Sequence, residues 1–179
     1  MSKKNTVLLD IETSGFKADK NLLCELGFIV IDENGIELER YSTLIKPYEL
    51  EEGTPMVVTE KAMEVNGLTL EQLENEGIEI EDAIKEAVAI FEKHEVSILM
   101  AHNAKFDSSF MFYLLEFFGT GYKFEKVFCT MEFAKKKVRV PSYSLTNLAK
   151  HFGIENKDAH RSIGDVETTW KLFNVLKSL

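Results

Sequence analysis

Cysteine is scarce in this sequence: Cys24 and Cys129 are the only two among 179 residues. Two thiols make neither a disulfide framework nor a metal knuckle, so a reducing, cytoplasmic setting is expected and stability has to come from packing. Proline occurs 3 times and glycine 10 times, which leaves little room for linkers or fibrous repeats. No apolar run approaches the roughly 18–20 residues that would cross a bilayer. The opening Met1-Ser2-Lys3-Lys4-Asn5 lacks the apolar stretch of a signal peptide, so no membrane partner is expected. Internal repeats and low-complexity tracts are missing as well. What is present is an ordinary globular balance, 45% apolar and 28% charged, sufficient for one domain with one core over residues 1–179.

The net charge of −9 speaks at first against a polyanionic partner. Its distribution is more informative. Residues 49–95 carry 14 acids against 3 bases, whereas residues 120–179 carry 11 bases against 6 acids. One half would repel a nucleic acid and the other could hold it. A solvated acidic face with incidental lysines accounts for the same numbers equally well.

Periodicity gives an α/β protein. Thr6–Glu12 is short, apolar and β-branched, and ends in the turn signal Ser14-Gly15. A second strand is expected over Leu23–Ile31, and Asn34-Gly35 would turn it into a third over Ile36–Ile45. From Thr59 the pattern becomes helical, with Ala83, Ile84, Ala87, Val88 and Phe91 on one face. Val96–Ala101 reads as a buried strand, Phe106–Phe118 as a helix, and Val127–Met131 as a last strand. Helices over Ser144–Phe152 and Ile163–Leu176 close the chain. The expected order, β-β-β-α-β-α-β-α-α, implies a mixed sheet, three antiparallel strands followed by parallel ones, flanked by helices.

Three clusters could carry chemistry. Asp10 and Glu12 are two apart on a strand, so both point to one face, roughly 6.5–7 Å apart along the chain. Two carboxylates there would repel each other and resist burial unless divalent cations relieved them; a frayed strand end in water is the plain alternative. The second cluster, Ala101-His102-Asn103-Ala104-Lys105-Phe106-Asp107, sits where a buried strand passes into a helix. Ligands of α/β sheets gather at such strand ends, although Asp107 could simply complement the helix dipole and His102 and Asn103 cap a turn. The third, His160-Arg161-Ser162-Ile163-Gly164-Asp165, heads the final helix, where a solvated histidine can accept a proton near neutrality or be mere surface.

Taken in order, D-x-E near the start, H-N-x-x-F-D after a central strand and H-R-x-x-x-D in the last helix resemble the DEDDh family of 3′→5′ exonucleases. The resemblance runs from about Asn5 to Leu176. It includes Leu9-Asp10-Ile11-Glu12-Thr13-Ser14-Gly15, Cys129-Thr130, and Tyr143-Ser144-Leu145 through Leu148 to Phe152-Gly153-Ile154. It implies a single exonuclease domain with a ribonuclease H-like fold, as in polymerase proofreading subunits and ribonuclease T. Asp10, Glu12, Asp107 and Asp165 would match the metal-binding carboxylates, and His160 the catalytic histidine. Two Mg²⁺ or Mn²⁺ ions are implied, bridged by Asp10, with Glu12 and Asp165 on the ion carrying the water and Asp107 on the other. Thr13 would touch the terminal nucleotide, and Asn103 and Phe106 would shape its pocket. Two positions depart from the pattern: Asn66 stands where many relatives have histidine, and Gly164 where a bulkier residue is common.

The implied activity is release of nucleoside 5′-monophosphates from single-stranded 3′ ends, with DNA favoured over RNA. Single strands suit it because a gripped terminal phosphate requires an unpaired nucleotide. From the charge pattern, Lys135, Lys136, Lys137 and Arg139 are the candidates for holding the strand's backbone. Since the last helix is expected to run almost to Leu179, a free-standing nuclease is expected, or a proofreader whose folded surface docks on a DNA polymerase. A nuclease for RNA or for very short oligonucleotides, and a catalytically silent interaction module, are the alternatives. Oligomeric state is not legible.

Overall fold

The computed structural model describes residues 4–156 and 160–179. Along the chain lie β1 (Asn5–Thr13), β2 (Leu23–Ile31), β3 (Glu37–Leu44), α1 (Glu60–Asn66), α2 (Leu70–Glu76), α3 (Ile80–Lys93) and β4 (Val96–Ala101). They are followed by α4 (Ala104–Phe117), β5 (Lys126–Cys129), α5 (Thr130–Lys137), α6 (Leu145–Phe152) and α7 (Ser162–Ser178). The five strands form one sheet in the order β3-β2-β1-β4-β5. β1–β2 and β2–β3 pair antiparallel, while β1–β4 and β4–β5 pair parallel, as the sequence leads one to expect.

The central strand shows why the sheet is covered on both faces. Val7, Leu9 and Ile11 point into a core with Ala83, Ile84, Ala87 and Phe91 of α3 and with Phe110, Met111 and Leu114 of α4. Leu8 points the other way, with Ile29, Ile31 and Met100, beneath Val166, Trp170 and Phe173 of α7. The period-two alternation of β1 therefore sends Asp10 and Glu12 to the α7 face, at the carboxyl end of the strand. α7 lies very close to the sheet there. A Cβ on Gly27 would come 2.3 Å from Ser162 Oγ, so β2 needs glycine opposite the first turn of α7.

The expected hairpin at Asn34-Gly35 is present: its turn spans Asp32–Ile36, with the Asp32 carboxylate accepting from the amides of Asn34 and Ile36 at 2.9 and 2.8 Å, while Gly35 takes φ +82°. The structure departs from the sequence reading in two places. The single helical zone after Thr59 resolves into α1, α2 and α3. Gly67, at φ +69°, ends α1, and Thr69 Oγ1 accepts from the Gln72 amide to start α2. Helix α5 is absent from the expected order, because β5 ends at Cys129 and Thr130 already opens the helix. Ala134 is buried against Leu148 of α6 and Leu172 and Leu176 of α7, and that packing, not local periodicity, decides the segment. Among the described residues, no helix is long and apolar enough to cross a membrane.

Candidate active site

β1 and β4 run parallel, and the site lies beyond their carboxyl ends, the usual place for ligands of open α/β sheets. Four elements contribute acids: Asp10 and Glu12 from β1, Glu25 from β2, Asp107 from the first turn of α4, and Asp165 from the first turn of α7. Burial drives the Asp10 carboxyl well above the usual carboxylate range, and the charges of Asp107, Asp165, Glu12 and Glu25 push it further. Burial likewise raises Glu12 to about 8, aided by Asp165, Glu25 and Asp107, with Arg161 opposing. Asp107 is raised to about 7 by burial, against the backbone amides of Asp107 and Ile11. Groups that disfavour their own ionisation this strongly call for external positive charge.

The structure also places the predicted histidine here. Ligand atoms of Glu12, His160 and Asp165 all lie within 4.8 Å of one another. His160 is exposed and takes φ +65°, a conformation that costs a non-glycine residue about 1–2 kcal/mol. Its backbone is held on one side by the Asp165 carboxylate, which accepts from the His160 amide at 3.2 Å and from Asn156 Nδ2 at 2.8 Å. On the other side the next residue, Arg161, is anchored to Glu25.

Beside the carboxylates, Ile11, Glu12, Thr13, Phe16, Thr59, Val65, Asn66 and Phe106 are among the residues lining a cavity of about 430 Å³. That volume falls in the range of small-molecule sites. Thr13 is buried and donates to the Gly15 carbonyl at 2.6 Å, leaving its oxygen lone pairs to accept from a ligand. Asn66, at one of the departing positions, donates to the Thr13 carbonyl at 3.2 Å and accepts from the Leu68 amide at 3.0 Å. It ties α1 to the end of β1. Phe106 meets Phe16 edge-on, ring centroids 6.2 Å apart, and Phe16 is 85% exposed. Most of the Phe16 ring is therefore accessible at the rim of the cavity.

Other expected residues fall elsewhere. Asn103 is exposed at the N-cap of α4, makes no side-chain cap bond and does not line the cavity. His102 is buried and bridges Thr130 Oγ1 and the Tyr143 carbonyl, each at 2.9 Å. A carbonyl can only accept, so Nε2 carries the proton and Nδ1 takes the threonine hydroxyl. Burial lowers the His102 pKa and keeps this neutral form. His102 thus pins the 143 loop and the start of α5. Lys135 pairs with Glu132 at 2.6 Å, and Lys137 lies over the Phe133 ring.

The sequence reading missed Glu25 and Phe16. The signal for Glu25 was present: it is the one acid inside an otherwise apolar strand, Leu-Cys-Glu-Leu-Gly-Phe-Ile-Val-Ile. Only the register, which sets Glu25 directly opposite Glu12, reveals what it faces.

Known proteins resemble this chain in sequence and in fold. The RNase_T family model, described as exonuclease, matches residues 7–173. The chain is 31% identical over 168 residues to a PolC-type DNA polymerase III of Thermotoga maritima, covering 93% of this chain but 11% of that one. It spans about a tenth of such PolC-type relatives. Against the DNA polymerase III subunit epsilon of Treponema pallidum, identity is 31% over 173 residues, covering 93% of this chain and 74% of the relative. Among solved structures, a zinc-bound Escherichia coli exonuclease I in complex with single-stranded DNA superposes with a TM-score of 0.81. That likeness, at 17% identity over 99% of this chain and 41% of that one, establishes the ribonuclease H-like fold.

Proposed function

The chain belongs to the exonuclease family, and from that premise we propose that it is a single 3′→5′ exonuclease domain that removes nucleoside 5′-monophosphates from single-stranded DNA ends. What supports the reading is the convergence of Asp10, Glu12, Asp107 and Asp165 with His160 at one edge of an aromatic-rimmed cavity.

Asp10, Glu12, Asp107 and Asp165 fit a divalent-cation centre, since neighbouring acids that are partly or fully withdrawn from water, repel one another and offer only oxygen suit hard ions such as Mg²⁺ or Mn²⁺. Asp10 would be shared between two ions, Glu12 and Asp165 would hold one, and Asp107 the other. When bound, such ions supply charge neutralisation on the phosphate, a more acidic water and stabilisation of the departing 3′ oxygen. His160 takes the water's proton on a ring nitrogen as the water oxygen attacks phosphorus and the P–O3′ bond breaks. The terminal base enters the cavity that Phe16 and Phe106 rim, and Thr13 accepts a hydrogen bond from the terminal nucleotide. Lys135, Lys136, Lys137 and Arg139 hold the incoming backbone, so affinity should weaken steadily as salt rises.

The test is digestion of 5′- and 3′-labelled single-stranded DNA with Mg²⁺, Mn²⁺ or EDTA, using wild type and His160→Ala. Early release of the 3′ label as a mononucleotide is expected. EDTA should abolish it, and His160→Ala should slow it by about 10²–10⁴-fold. Faster digestion of matched RNA would reassign the substrate, and no digestion of either would leave a silent interaction module. Because the matched relatives include DNA polymerase III proteins, co-elution with a bacterial replicative polymerase is the corresponding partner test.

A further inference from the structure

Glu25 is 1% exposed and sits on β2 directly opposite Glu12. It is not placed to serve as a further ligand, because both its oxygens are already engaged. Arg161 Nε lies 3.2 Å from each, Arg161 Nη2 is 2.9 Å from Oε1, and the Ser162 amide donates to Oε2 at 3.2 Å. Arg161 is the N-cap residue of α7 and supplies no cap of its own. Glu25 thus caps α7 from a neighbouring strand, and the close approach at Gly27 brings the helix within its reach. His160 immediately precedes this anchor, in a left-handed conformation that an untethered histidine would leave.

We propose that Glu25 and Arg161 form a positioning pair that fixes His160 in reach of the carboxylate centre, acting through the backbone of the 160–162 turn. The inference rests on the nuclease reading of the same site and adds two residues to it. Glu25 neither touches substrate nor holds an ion. It commits a fixed guanidinium fork, which lysine cannot reproduce, to orienting the loop that carries the base.

The test combines kinetics with hydrogen exchange on the full chain. Arg161→Ala and Glu25→Gln should each lower kcat by about 10–100-fold, as outer residues of such centres do, with KM changed less than about threefold. Arg161→Lys should recover only part of the loss. The decisive comparison uses the His160→Ala background: there Arg161→Ala should cost less than about twofold, because a residue that acts through His160 has nothing left to position. Amide exchange over residues 160–163 should quicken in Arg161→Ala and Glu25→Gln while the central strands stay protected. Full additivity with His160→Ala, or unchanged kcat in both single variants, overturns the proposal. An inactive wild type would overturn the nuclease reading instead, and the anchoring would then be decided by exchange: unchanged exchange in Arg161→Ala sinks it.

Discussion

Fourteen acids lie between residues 49 and 95, and every one of them is exposed to solvent. Five others, Asp10, Glu12, Glu25, Asp107 and Asp165, come from four separate elements and converge at one end of the sheet. The first set supplies most of the net charge of −9 and no site. Water screens each carboxylate, and neighbouring acids on helix surfaces interact weakly. The second set is only five of the 30 acids, yet burial and proximity raise the carboxyl pKa values of Asp10, Glu12 and Asp107 within it. A count of acids therefore says little about metal or phosphate binding; their shared desolvation says much more.

This contrast can be broken most sharply at its centre. Asp10→Asn should reduce nuclease turnover by on the order of 10³-fold or more, since it removes the acid at the middle of the cluster. The same substitution should raise the melting temperature of metal-free protein at pH 8 by about 3 °C, because it relieves repulsion. Activity loss paired with a lowered melting temperature would mean that Asp10 is structural.

A second test concerns the cavity rim. Phe16→Ala should raise KM for a DNA end by about tenfold, in line with the loss of one base–aromatic stack, and leave thermal stability nearly unchanged, because the ring is 85% exposed. An unaltered KM would remove Phe16 from the substrate path.

The third is pH dependence, with its sign fixed by direction. The folded-state values of Asp10, Glu12 and Asp107 are raised, so between the ordinary carboxylate range and about pH 8 the folded protein binds more protons than the unfolded chain. Stability of the metal-free protein is therefore lost as pH rises through about 7 and 8, and its melting temperature should fall by about 5 °C between pH 6 and pH 9. Millimolar Mn²⁺ should offset that fall, because only the folded state gathers the ligands. A flat profile without metal would show that the cluster is more hydrated than its burial implies.

The smallest effect is expected on the acidic face. Glu71→Gln, Glu74→Gln and Glu81→Gln together should change neither turnover nor, beyond about 0.5 kcal/mol apiece, stability. A large gain in DNA affinity would show that this face repels the strand.

Much of the fold was legible because its signals are local. Alternation in Thr6–Glu12 and the apolar runs 23–31 and 96–101 name strands by themselves, and the acid-spaced apolar face of residues 83–91 names α3. Helix α5 was not legible, since Thr130 and Ala134 are buried by partners from the turn after β4, from α6 and from α7 that no window around residue 130 contains. The site divides in the same way. Asp10, Glu12, Asp107, His160 and Asp165 announce themselves by spacing within short motifs. Asn103 belongs to such a motif too, yet its side chain lies off the cavity, because motif membership does not fix which way a cap residue turns.

The sequence by itself determined which residues could alternate across β1, and hence that two carboxylates must share a face of the central strand. That follows from a two-residue period that needs no partner. Only the tertiary structure decided that Glu25 would stand opposite Glu12, take Arg161 as its counter-charge and hold the His160 turn beside the acids. Register and helix approach are properties of packed surfaces: the pairing of β1 with β2 and the glycine gap beneath α7 exist only once the sheet has formed.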